Sequence, residues 1–285
     1  MLPLLEIIQR TTAYFEKSGI ENPRLDAQLL LAHVFDLSRM ELYQQFDRPL
    51  EESELEKIRP LVRRRANREP LQYIVGSVEF LDLKLKVDRR GLIPRPETEE
   101  LVDLLSKRQP RPQTILDLGT GSGALALGLA SAFPEASVVA IDRSTSALEL
   151  ALENAEANHL TDRITFLEGN WFEPLAPDAR FDWIVSNPPY LTEEEWQSAQ
   201  PEVREWEPRE ALVAADEGCA DLEQIFKETP NWLNPGGWLA VETGISQHRR
   251  LTEFAQECGF SKIESKQDLS GRDRFLIASY SEKIN

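Results

Sequence analysis

The chain has 285 residues, 41% apolar and 28% charged, enough for one sizeable core and a smaller accessory domain. Its net charge of −17 is uneven: residues 1–110 hold 18 Lys and Arg against 19 Asp and Glu, while residues 111–285 hold 14 against 30. The acidic second part repels a polyanion such as DNA and steers in a basic protein or a protein working on RNA, so no direct DNA binding is expected. No apolar run approaches the ~20 residues of a membrane helix, and Glu6 and Arg10 fall where a signal peptide would be apolar, so the expected place is cytoplasmic and off the membrane. Cys219 and Cys258 stand apart from each other and from His33, His159 and His248, which gives neither a disulfide framework nor metal-ligand spacing; no metal is expected.

The first seventy residues read as helices. "LPLLEIIQRTTAYFEKSG" repeats apolar positions at helical spacing and stops at Gly19; "NPRLDAQLLLAHVFDLS" takes Asn22 as a cap and Pro23 in its first turn; "SELEKIRPLVRRRANREP" ends before Pro70. Its basic cluster, Arg63, Arg64, Arg65 and Arg68, reads more readily as a solvated helix face than as a nucleic-acid or ribosome contact. "PLQYIVGSVEFLDLKLKVD" then alternates around Gly76 like a hairpin, and the proline-rich stretch Ile93 to Pro96 leads into a helix beginning near Glu97. The expected organisation is a helical bundle over 1–70, a β-hairpin linker over 71–96 and a larger domain over 97–285.

In that larger domain "TILDLG", "SVVAID", "RITFLEG", "FDWIVSNPP" and "GGWLAVE" alternate with helical stretches, and "KIESKQD" with "DRFLIASY" closes the chain as a hairpin. Short apolar runs, each followed by a helix, predict a doubly wound, mostly parallel α/β sheet with an antiparallel terminal hairpin. Ligands of such sheets bind outside the carboxyl ends of the strands, and the chemical motifs fall there.

"LDLGTGSGALALGLA" sets Gly119, Thr120, Gly121, Ser122 and Gly123 between the first strand of this domain and its helix, where glycines let the backbone approach a ligand and a helix N-terminus offers free N–H groups. The spacing G-x-G-x-G misses the G-x-G-x-x-G dinucleotide fingerprint, because position 124 is Ala. Asp142 ends the second of these strands, where a carboxylate can accept both ribose hydroxyls of an adenosine; capping a helix is its plainer use. Trp171 follows the third, placed to pack on or beside an adenine or simply to fill the core.

"SNPPY" follows the fourth strand. The Asn187 side-chain carbonyl and the Pro188 backbone carbonyl can point at one spot, because consecutive prolines, Pro188 and Pro189, restrict the chain there. Two converging acceptors suit a planar NH2 group, with Tyr190 against its flat face. Drawing on both N–H bonds returns electron density to an otherwise delocalised nitrogen and aims it at an electrophile. The electrophile that fits is the methyl of S-adenosylmethionine, and holding the two atoms in line can contribute as much as roughly 7 to 11 kcal/mol.

"LDLGTGSG", "AID", "GNWFEPL" and "SNPPY" resemble a class I (Rossmann-like) methyltransferase, while "PLQYIVGSVEF", "LIPRPETEELV", "EPREAL" and "ETGISQ" resemble specifically the release-factor glutamine methyltransferases, often called HemK or PrmC. "VETG" is a mild departure, standing where that family often has an Ile before the glycine. The resemblance covers nearly the whole chain. It implies N5-methylation of the glutamine in the Gly-Gly-Gln motif of class I peptide chain release factors, with S-adenosylhomocysteine as by-product, and a docking role for the helical domain. It also implies cofactor contacts from Gly119 to Gly123, Asp142, Trp171 and Asn187, and a substrate amide held by Asn187, Pro188, Pro189 and Tyr190. The rival substrates are a glutamine of ribosomal protein L3 and, further off, adenine N6 of DNA or RNA. Against nucleic acid stand Glu193, Glu194, Glu195, Glu202, Glu205, Glu207 and Glu210, which surround the exit of the Asn187 pocket with only Arg204 and Arg209 beside them.

Overall fold

The computed structural model describes residues 1–280. The chain divides into two compact units, one made of residues 1–77 together with 200–206, the other of residues 78–199 and the chain from Glu207 onward.

The first unit is helical: α1 (Leu4–Lys17), α2 (Pro23–Phe35), α3 (Arg39–Gln44), α4 (Glu52–Ala66) and α5 (Leu71–Val75). The apolar positions that recur at helical spacing, among them Leu4, Phe15, Leu30, Leu31 and Leu42, meet in one buried cluster. Gly19, at φ +73°, closes the turn after α1 as expected. Asn22 occupies the cap position of α2 but makes no cap hydrogen bond, and Pro23 takes the first helical position, where the missing N–H costs no helical bond. Helix α3, absent from the expected elements, starts at a capping box of Ser38 and Glu41.

Two further expectations are corrected here. Leu71–Val75 is a helix rather than the first arm of a hairpin, and Gly76, at φ +82°, ends it in the left-handed conformation. Leu71, Tyr73 and Ile74 are buried along one side of this short helix, and that burial outweighs the strand preference of the local residues. The hairpin follows, as β1 (Ser77–Phe80) and β2 (Leu83–Lys86), and turns at Leu81 and Asp82. The basic cluster is a solvated face only in part: Arg63 and Arg64 are exposed as expected, whereas Arg65 and Arg68 are drawn into ion pairs. Arg65 is buried, its Nε donating to Asp26 Oδ2 at 2.7 Å and its Nη2 to Glu202 Oε1 at 2.8 Å. Arg68 donates through Nε to the same Glu202 oxygen at 2.8 Å and through Nη2 to Gln200 at 2.9 Å, while Arg64 pairs with Glu69. Burial pushes the Glu202 carboxyl up, but the hydrogen bonds from Arg68 and Arg65 outweigh it and hold the group below its ordinary range. Arg65 and Arg68 therefore fasten segment 200–206 into the helical unit.

In the second unit α6 (Pro96–Ser106) precedes β3 (Thr114–Leu118), α7 (Ala124–Ala132), β4 (Ser137–Asp142), α8 (Thr145–Ala157), β5 (Ile164–Glu168) and β6 (Phe181–Ser186). Next come α9 (Glu193–Ser198), α10 (Pro201–Arg204, in the first unit), α11 (Ala220–Glu228), β7 (Leu233–Glu242), α12 (His248–Glu257), β8 (Phe260–Gln267) and β9 (Asp273–Tyr280). The sheet order is β5-β4-β3-β6-β7-β9-β8, with the first five strands parallel and β9 antiparallel to both its neighbours. Strand residues alternate between faces. Ile115 belongs to the apolar cluster that includes Leu101, Leu125 and Leu129, and its neighbour Leu116 to the cluster with Leu222, Ile225 and Leu251.

Register positions the site. Leu118 pairs with Ile141 and Ser186, and Ser186 with Val241, so β3, β4, β6 and β7 end level. The glycine loop, Asp142, Asn187 and Glu242 therefore leave the sheet along one edge, across the point where the strand order reverses.

Candidate active site

The glycine loop is held from below by backbone. Gly119 and Thr120 both donate to Ile141 O, at 2.8 and 2.9 Å, and Asn154 of α8, fully buried, donates from Nδ2 to Ser122 O at 2.9 Å. Asn154 also clamps Lys86 of β2 through its backbone N–H and carbonyl. Gly119 favours glycine through its φ of +70°, and it lies against the Trp171 ring, which an added Cβ would meet at 3.4 Å, ordinary contact distance. Gly123 sits at φ +87°, and a Cβ there would displace the Leu127 side-chain end, 2.4 Å away, and crowd Ala151 at 3.1 Å.

Two carboxylates face the cavity beside this loop. Asp142 Oδ2 accepts from the Gly121 N–H at 2.8 Å and Oδ1 from the Ser144 N–H at 2.9 Å, leaving each oxygen a further acceptor position. Burial raises its pKa against those two hydrogen bonds. Asp117, which the sequence reading did not single out, is fully buried at the end of β3; its Oδ2 accepts from Thr120 Oγ1 at 2.6 Å and from the Ala126 N–H at 3.1 Å. Its Oδ1 has no partner, and burial pushes the group up to about 7. Trp171 adopts φ +49° after β5 and turns its ring against Gly119 in the same cavity wall.

Across the cavity, Asn187 and Pro189 line the wall, whereas Pro188 is buried and neither it nor Tyr190 belongs to the lining. Asn187 Nδ2 donates to Thr98 Oγ1 at 3.2 Å. Thr98 in turn donates to Glu242 Oε2 at 2.9 Å, and the Tyr190 hydroxyl to Glu242 Oε1 at 2.9 Å. Glu242 is 1% exposed. Burial raises its pKa, opposed by the hydrogen bonds from Tyr190 and Thr98 and by the charge of Arg274; burial also raises that of Tyr190, helped by the charge of Glu242. Thr98 and Glu242 were visible in sequence only inside the family-like stretches "LIPRPETEELV" and "ETGISQ", with no role attached.

The acidic fringe is weaker than its residue count implies. Glu202 is taken up by Arg65 and Arg68 within the helical unit, and Glu207 is buried, paired with Arg95 at 2.7 Å and accepting from the Ile93 N–H. Glu193 pairs with Arg209. Glu193, Glu202 and Glu207 are thus paired with arginines within the protein. Among the described residues no helix is long and apolar enough to cross a membrane, and no cluster of His, Cys, Asp and Glu could hold a metal ion.

Two family models match the chain, a PrmC N-terminal domain over residues 6–76 and a methyltransferase small domain over residues 96–202. A release factor glutamine methyltransferase of Geobacter sulfurreducens is 44% identical over 271 residues, covering 95% of this chain and 94% of the relative. One from Aliivibrio fischeri is 39% identical over 280 residues, 98% of each, and one from Vibrio cholerae 41% identical over 274 residues, 96% of this chain and 95% of the relative. Among solved structures, a methyltransferase from Pyrococcus furiosus superposes with a TM-score of 0.55 at 19% identity, over 71% of this chain and 91% of its own. A Thermus thermophilus 16S rRNA N2 G1207 methyltransferase in complex with AdoMet and guanosine gives 0.52 at 23% identity, over 72% and 49%. At these identities the two structures establish the class I methyltransferase fold and nothing finer.

Proposed function

The chain belongs to the family of release factor glutamine methyltransferases, and on that premise we propose that it methylates the glutamine side-chain amide in the Gly-Gly-Gln motif of class I peptide chain release factors. S-adenosylmethionine supplies the electrophilic methyl on a sulfonium, and the products are N5-methylglutamine and S-adenosylhomocysteine. The observation that carries the reading is the Asn187 amide: its NH2 is committed to Thr98, which leaves Oδ1 as an acceptor at the cavity beside the glycine loop.

The residues fit the methyl donor. Asp142 has acceptor positions left for ribose hydroxyls, and the unpartnered Oδ1 of Asp117 suits a cation such as the donor's α-ammonium. The positive-φ glycines bring backbone close to the ligand, and Trp171 supplies a flat apolar wall. On the acceptor side, Asn187 Oδ1 and the Pro188 carbonyl would each take one N–H of the glutamine amide, orienting its nitrogen and restoring the electron density that resonance withdraws. Tyr190, fixed through its hydroxyl by Glu242, would lie against the amide plane. Taking the methyl from the sulfonium leaves the amide nitrogen cationic with both its protons, a species acidic enough to give one to water, so no general base is assigned.

The test is incubation with radiolabelled S-adenosylmethionine and, in parallel, a purified class I release factor, ribosomal protein L3, tRNA and DNA. Label on the release-factor glutamine is the expected result. Label on ribosomal protein L3 or on adenine N6 instead would replace the proposed substrate.

A further inference from the structure

With Glu242 ionised, the state that Arg274 and the two hydroxyl donors favour against burial, the network behind Asn187 has one consistent polarity. An ionised carboxylate only accepts, so both hydroxyls that meet Glu242 must donate to it, Tyr190 at 2.9 Å and Thr98 at 2.9 Å. With its proton committed, Thr98 Oγ1 is left as an acceptor, and the part of Asn187 able to satisfy it is the NH2, whose Nδ2 lies 3.2 Å away. Turned over, Asn187 would set its carbonyl oxygen against an oxygen with no proton to give.

We propose that Glu242 and Thr98 are positioning residues for methyl transfer: acting through the Thr98 hydroxyl, Glu242 fixes the Asn187 amide with Oδ1 toward the substrate, and the same carboxylate anchors Tyr190. The proposal rests on the amide-methylating reading above. A carboxylate that is 1% exposed is costly to bury, and a neutral Gln of similar shape would fill the space as well if packing were the whole role. It would not serve the relay. Gln at position 242 presents one acceptor and one NH2, so one of the two hydroxyls must accept from it. When that hydroxyl is Thr98, its freed proton can turn to Asn187 Oδ1 and invert the amide.

The experiment compares the wild type with Thr98→Val, Thr98→Ser, Glu242→Gln and the Thr98→Val/Glu242→Gln double variant. One readout is single-turnover methyl transfer to the release factor at saturating cofactor. The other is exchange of the Asn187 side-chain NH2 protons with water, followed by NMR on asparagine-labelled protein without any substrate. Thr98→Val and Glu242→Gln should each slow transfer by about tenfold to a hundredfold, with KM for the release factor within about threefold of wild type. Thr98→Ser should stay near wild type. The double variant should be no slower than the worse single one, as expected for residues acting through one chain of hydrogen bonds. The NH2 protons should exchange faster in Thr98→Val and Glu242→Gln and be unchanged in Thr98→Ser. Equal exchange in all proteins, a serine variant as slow as valine, or additive losses would overturn the relay. If Thr98→Val does not fold, Glu242→Gln against Thr98→Ser decides by the same two readouts. If the wild type leaves the release factor unlabelled, the functional reading fails on its own, and the exchange data still support or overturn the relay.

Discussion

On the glycine-loop side of the cavity, the groups that face a ligand come from the ends of neighbouring strands and are fixed by backbone: Ile141 O receives two loop N–H groups, and Asp142 is held by the N–H groups of Gly121 and Ser144. On the Asn187 side the order comes from side chains brought from far along the chain. Thr98 is 89 residues from Asn187, and Glu242 is 144 from Thr98. The first side is preformed by strand register and positive-φ glycines, so single side-chain changes there should weaken binding while leaving the scaffold intact. The second depends on every member of a buried polar chain having its partner, so one deletion should disable the chemistry.

The contrast gives a ranked set of expected effects. Asn187→Ala removes an acceptor from the substrate amide and should cost the chemical step roughly 3 to 4 kcal/mol, by analogy with deleting an oxyanion-hole donor; single-turnover transfer with saturating reactants reads it. A loss below tenfold would break the comparison. In the helical unit, Arg65→Ala leaves Asp26 unpaired in a partly buried place and removes one of the two arginines on Glu202, a loss of about 3 kcal/mol in denaturant unfolding. An unchanged midpoint would mean that the cluster is solvated after all. Asp142→Ala should weaken S-adenosylmethionine binding by about 1.5 to 3 kcal/mol in calorimetry, with the fold retained. The last effect, smallest per pH unit, is a pH dependence. The Asp117 carboxyl is raised from its ordinary value to about 7 by burial, so between about pH 4 and 7 the folded state binds the proton that the unfolded state has lost, and folding stability declines across that window. Binding of a cationic group selects the ionised form, so cofactor affinity should rise by up to about tenfold per pH unit on approaching pH 7 and level off above it. Asp117→Asn should flatten that profile; an identical slope in the variant would take Asp117 out of the site.

Much of this is readable in the sequence where the cause is local. Strand runs such as "TILDLG" and "SVVAID" end in turn residues, and their order placed the glycine loop, Asp142, Trp171 and the Asn187 corner at one sheet edge. Helix α5 was misread because burial of Leu71, Tyr73 and Ile74 overrode the strand preference of their neighbours. Arg65 and Arg68 depart from the expected solvated face because their partner, Glu202, lies 137 residues from Arg65, and nothing in a helical repeat announces an ion pair of that span. Thr98, Asp117 and Glu242 escaped notice for a related reason: a buried polar residue shows in sequence only as one more polar letter, and its role depends on which distant donor or acceptor meets it.

The central claim is that two acceptors at the Asn187 corner grip one substrate NH2. It is tested most directly by a crystal structure of the protein with S-adenosylhomocysteine and a peptide carrying the Gly-Gly-Gln motif. The account predicts the glutamine nitrogen within hydrogen-bond reach, about 2.7 to 3.2 Å, of both Asn187 Oδ1 and the Pro188 carbonyl, with Asn187 Nδ2 still on Thr98. A glutamine amide held by other groups, or an Asn187 turned to present its NH2, would contradict it.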